Sequence, residues 1–77
     1  MRTEIAGSGI YMERCRSNPI VWDIYDERRG RVHVGAATEL ERGFAVHIWY
    51  RATIRFHARN LSAALQEATM CVERLPA

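Results

Sequence analysis

Residues 44–58, FAVHIWYRATIRFHA, hold a two-residue rhythm for fifteen positions. The even positions, Phe44, Val46, Ile48, Tyr50, Ala52, Ile54, Phe56 and Ala58, are apolar or nearly so. The odd positions, Ala45, His47, Trp49, Arg51, Thr53, Arg55 and His57, are small, polar, aromatic or basic. Successive side chains of a strand point to opposite faces, so this pattern demands a sheet with one buried and one open side. At ~3.3 Å per residue the run would extend about 50 Å, which is long for one strand of a small domain. A bend or bulge near residues 51–53 is therefore expected, dividing the run into two strands. Gly, Pro and Asn are missing there, so a tight hairpin is not expected.

Neighbouring strands are legible on the N-terminal side. Residues 20–26, IVWDIYD, alternate Ile20, Trp22 and Ile24 against Val21, Asp23 and Tyr25, and are rich in β-branched and aromatic types. DERRG (26–30) reads as a turn, with Gly30 free to take positive φ. RVHVGAATEL (31–40) reads as the next strand, with Val32, Val34, Ala36 and Leu40 facing inward and Arg31, His33 and Gly35 outward. ERG (41–43) returns the chain, with Gly43 suited to the left-handed position of a bulged hairpin. If Leu40 pairs with Phe44, His33 stands opposite Arg51. Residues 53–58 then need a partner from the N-terminal segment or from a second chain.

The cover for the even side follows at once. Asn60 is a good helix N-cap. Leu61, Ala64, Leu65, Ala68, Cys71, Val72 and Leu75 fall on one helical stripe, and Pro76 marks the stop. The chain thus reads as one α+β domain over 1–77: a three- or four-stranded antiparallel β-meander with one C-terminal α-helix packed on one face. Residues 1–19 form an N-terminal segment with a possible short strand at 9–15 and a turn at 17–19. Residues 20–58 form the sheet, and 60–75 the helix.

Seventy-seven residues leave no room for a second domain. A chain this short buries only about 60% of its unfolded surface, so a second subunit would help it, and a homodimer is a possible form. No run of roughly 18 apolar residues occurs, and the N-terminus has no continuous apolar stretch, so neither a membrane span nor a secretory signal is expected. Cys15 and Cys71 are the only cysteines and form no CxxC; they read as plain thiols of a cytoplasmic protein.

The net charge of +2 is unevenly laid out. Residues 28–59 carry seven arginines against Glu39 and Glu41, while both flanking segments are net acidic. All eleven basic residues are arginine, whose fork-shaped guanidinium suits phosphates and carboxylates. The candidate binding surface is the odd side of the 44–58 run: His47, Trp49, Arg51, Arg55 and His57, with Arg59 just beyond and Arg31 and His33 on the neighbouring strand. Aromatic planes stack on bases while arginines reach phosphates. Two blander readings stand beside this one. The N-terminal segment could cover Trp49 as a second small core, or the face could be a dimer interface, which favours Trp, Tyr and Arg.

Metal and catalytic chemistry find less support. His47 and His57, ten residues apart, would stand ~33 Å apart on an extended strand, too far to share an ion with His33 or Cys15. GSG (7–9) is too short for a phosphate loop and follows no strand, and Ser8 lacks a nucleophile elbow. Asp23 on an outward face could meet a histidine, a common surface pairing. No cofactor and no enzyme activity are expected.

The order of three antiparallel strands followed by a C-terminal helix resembles the sheet-reading DNA-binding domains at the N-termini of some phage integrases. It is also similar to the antitoxin-type fold of a three-stranded sheet and one helix. The resemblance is one of topology alone and implies little about function. The expectation is a non-catalytic binding module whose partner is nucleic acid. The alternative is a regulatory or inhibitory protein of phage or mobile-element type, acting on a host or defence protein.

Overall fold

A computed structural model describes residues 4–6 and 9–74. Six strands follow one another as an antiparallel meander: β1 (Glu4–Ala6), β2 (Ile10–Arg14), β3 (Val21–Asp26), β4 (Val32–Glu39), β5 (Phe44–Ile48) and β6 (Ile54–Ala58). Their spatial order is their chain order. One helix, α1 (Leu61–Glu73), covers one face. The α+β class and the single C-terminal helix stand as expected, with more strands than the three or four foreseen. The six-strand meander also departs from the three-strand order on which the topological resemblance rested.

The largest correction lies in the 44–58 run. It is a hairpin, not one bent strand: β5 and β6 pair antiparallel, Phe44 with Ala58 through Ile48 with Ile54. The five-residue loop 49–53 turns at Arg51, which adopts φ 61° without being glycine. Loop geometry also explains why the rhythm survives. Cross-strand partners share a face, and an odd loop pairs even positions with even ones. Val46, Ile48 and Ala58 are buried, with Phe44, Ile54 and Phe56 packed against them, while Arg55 and His57 stay exposed. The distal half of the run thus finds its partner within the chain, which removes the reason for seeking that pairing in a second subunit.

The core lies between this face and α1. It includes Ile10, Met12, Trp22, Ile24, Val34, Ile48, Leu65 and Val72. Asn60 caps the helix as expected, its Oδ1 accepting from Ala63 N at 2.8 Å. Leu75 and Pro76, placed on the helical stripe and at its stop, lie outside the described residues. The helix approaches β1 and β2 on one side and β5 and β6 on the other, so the sheet curls around it and its outer face is convex. No helix among the described residues is long and apolar enough to cross a membrane.

Three inward assignments fail. Ile20 and Leu40 are 46% and 45% exposed because they sit in the turns beyond the strand ends. Ala36 points outward because β4 carries a bulge. Ile24 pairs with Gly35 and Tyr25 with His33, so Val34 is the extra residue. Val34 and Gly35 are consecutive and both buried, and parity reverses beyond them. The β4–β5 register is also one residue off the expected one: Glu39, not Leu40, pairs with Phe44.

Candidate functional site

The bulge assembles the outer face. It places His33 opposite Tyr25, Ala36 opposite Asp23 and Thr38 opposite Val21 on that side. The carbonyl of Val34 accepts from both Trp49 N (3.0 Å) and Tyr50 N (3.3 Å), which ties the start of the 49–53 loop to β4. Trp49 is held again by its indole, Nε1 donating to His33 O at 3.1 Å. It remains 41% exposed, and no second core forms over it among the described residues.

A row of five rings crosses the face from β2 to β5. Tyr11 stacks on Tyr25 (5.4 Å between centroids, 24° between planes) and Tyr25 on His33 (5.0 Å, 27°). Trp49 then meets His33 (4.9 Å, 83°) and His47 (5.4 Å, 82°) at right angles. Both arrangements are favoured for aromatic pairs. Tyr11 and Tyr25 were absent from the sequence-derived site. The alternation of 20–26 already turned Tyr25 outward, whereas Tyr11 sits in a short strand whose facing was not legible.

Charge is segregated along this row. At the β2–β3 end, Arg31 pairs with Glu13 (3.2 Å) and lies over the Tyr25 ring, and His33 Nε2 meets Asp23 at 3.2 Å. The acid–histidine contact foreseen for Asp23 therefore forms. Burial, followed by the Asp23 and Glu13 carboxylates, pushes the Tyr25 phenol above its ordinary range, so it stays neutral. At the other end, the outer face of β4, β5 and β6 carries Thr38, Ala45, His47, Arg55 and His57, with no carboxylate among its described strand residues. Thr38, Ala45, His47 and Arg55 help line a shallow depression of about 420 Å³.

The hairpin brings His47 and His57 far closer than the ~33 Å of an extended strand. His47 pairs with Arg55, so His57 is its diagonal neighbour, at about 7–8 Å. Among the described residues, however, no three His, Cys, Asp or Glu side chains gather as a metal site would require. His57 Nε2 bonds Arg42 O at 2.8 Å. His47 Nε2 is buried and has no hydrogen-bond partner among the described residues. The side chains of Arg55 and Arg59 are exposed and form no ion pair or hydrogen bond among the described residues. Arg51 sits in the 49–53 loop beyond the strands of this face. Its guanidinium lies 5.3 Å from the centre of the Tyr50 ring, which packs on the core.

A second polar centre sits at the loop end of the sheet. Asp26 is fully buried and accepts from Arg28 N (3.0 Å), Arg28 Nε (3.2 Å) and Arg29 Nε (2.8 Å). The Arg29 guanidinium also lies over Tyr50, so this carboxylate links the 26–30 turn to the 49–53 loop beside Trp49. The sequence showed DERRG only as a turn; nothing in its pattern marked Asp26 as buried. Comparison with protein-family models, curated proteins and solved structures returns no match.

Proposed function

We propose that the chain is a non-catalytic, cytoplasmic binding module that engages nucleic acid through the outer face of β4, β5 and β6. The observation that carries this reading is the charge segregation. The acids of the face, Glu13 and Asp23, lie at one end, where Arg31 pairs with Glu13 and the His33 ring meets Asp23. At the other end Arg55 and Arg59 form no ion pair among the described residues, and Arg55 stands opposite His47, whose Nε2 finds no partner among them. Exposed guanidinium groups with no internal partner favour an external phosphate or carboxylate. About 13 Å of extended chain separates Arg55 from Arg59, a span that suits successive charges of a polymer better than one small anion.

The test is double charge reversal, Arg55→Glu with Arg59→Glu, in a mobility-shift assay at 50 mM NaCl with mixed single- and double-stranded oligonucleotides. Wild type should shift them and the variant should not, with unchanged thermal melting. Retained binding by a folded variant would refute the assignment.

One observation favours a second reading, a regulatory or inhibitory contact with a host or defence protein. Trp49 is 41% exposed beside Tyr50 and Arg51, the residue types that dominate protein interfaces. Capture of one partner that Trp49→Ala abolishes, with no oligonucleotide bound, would favour it. A homodimer has an available edge in β6. Leu40 N bonds Gly43 O and Trp49 N bonds Val34 O, which fixes the ladder alternation and leaves the N–H and C=O of Arg55 and His57 pointing away from β5.

A further inference from the structure

We infer that the nucleic acid this face takes is a duplex held by its phosphate backbone, not a single strand held by its bases. The inference rests on the nucleic-acid reading above and narrows its ligand. Single-strand binders combine a basic groove with aromatic planes on which successive bases stack. Neither part is present in that form. The rings of the row are closed against one another: Tyr25 lies stacked between Tyr11 and His33, at 5.4 and 5.0 Å. Tyr11 is itself 8% exposed. A base cannot enter these stacks without separating them. Trp49 is the remaining candidate platform, and its indole is already committed to His33 O and to edge contacts with two histidines.

The shape argues in the same direction. The sheet curls around α1, so the outer face is convex and offers a shallow depression where a flexible strand would need a groove. What the face does present is Arg55 and His57 at alternate positions along the edge strand, with Arg59 exposed just beyond its end. A line of this kind can follow a rigid backbone and needs no base exposed.

The experiment is a fluorescence-anisotropy titration of the full chain with a labelled 20-base-pair duplex of mixed sequence and with each of its separated strands, from 50 to 200 mM NaCl. Duplex should bind more tightly than either strand. Two phosphate contacts give a log–log salt slope of about −1.8, a weakening of about 12-fold over that range. Arg55→Ala should halve the slope, to about −0.9. Intrinsic tryptophan emission should not change on adding duplex. Equal or tighter binding of single strands, with a quench that Trp49→Phe removes, would overturn the inference and leave the nucleic-acid reading standing. No binding of either form at 50 mM NaCl would overturn both. DNA and RNA duplexes run in parallel separate the two sources of the same backbone chemistry.

Discussion

Replacing Asp26 by asparagine should destabilise the fold measurably, and the loss should depend on pH in a defined direction. The carboxylate is fully buried and accepts from both following arginines. Asparagine keeps the size and one acceptor but sets an NH2 against guanidinium donors. The bond from Arg29, at 2.8 Å with a side chain 27% exposed, is the stronger one to lose. Charge-assisted bonds contribute about 1.5–3 kcal/mol each. The Arg28 side chain is 43% exposed, so its ion pair adds little after solvent screening. A cost of about 1.5–3 kcal/mol is therefore expected at pH 7, against a total of ~4–12 kcal/mol for a chain of this length. Burial alone would raise the Asp26 pKa, but the hydrogen bonds from Arg28 and Arg29 outweigh it and hold the carboxyl below its ordinary range. A depressed folded-state pKa gives stability that is complete above the unfolded value of about 4 and is lost as pH falls through the folded value. Urea midpoints of wild type and variant should differ at pH 7 and pH 5 and converge towards pH 2. Equal midpoints at pH 7, or a gap that persists undiminished in acid, would refute the reasoning.

Three other predictions follow from the packing and the thiols. Ile48→Ala and Leu65→Ala, buried on the sheet and helix sides of one core, should each cost about 2–5 kcal/mol in urea denaturation. Unchanged midpoints would mean that sheet and helix do not meet there. Hydrogen bonding from Ser17 lowers the Cys15 thiol pKa, whereas burial raises that of Cys71. Iodoacetamide at pH 8 should therefore modify Cys15 first, and Ser17→Ala should slow that reaction, as read by peptide mass mapping. Sedimentation equilibrium without nucleic acid should return the 8.9 kDa monomer, since β6 already pairs within the chain; a dimer mass would point to its free edge.

The alternation of residues 44–58 carried the buried and open faces into the structure intact, because side-chain parity is a local property. It did not carry the topology. The hairpin turns on Arg51 in the left-handed region, a conformation usually announced by Gly or Asn. The bulge at Val34 was equally silent, since Val-His-Val-Gly-Ala-Ala reads as an unbroken strand until its partner's register is known. Both misses moved site residues. Arg51 moved from a strand into the loop, Thr38 joined the outer face, and His57 came beside His47. Asn60, Trp22, Ile24 and the helical stripe were legible because capping and period 3.6 need no knowledge of neighbours. The pairing of Arg31 with Glu13, eighteen residues apart in sequence, was not, and it leaves Arg55 and Arg59 as the site arginines that form no ion pair among the described residues once Arg51 is set aside.

Whether the outer face of β5 and β6 is the binding surface is tested most directly by a ¹⁵N–¹H NMR titration with the mixed-sequence duplex. The amides of Ala45, His47, Arg55, His57 and Arg59 should shift first and saturate together, while those of Ala64, Ala68 and Val72 under the opposite face stay in place. Shifts confined to α1, or none at 50 mM NaCl, would contradict it.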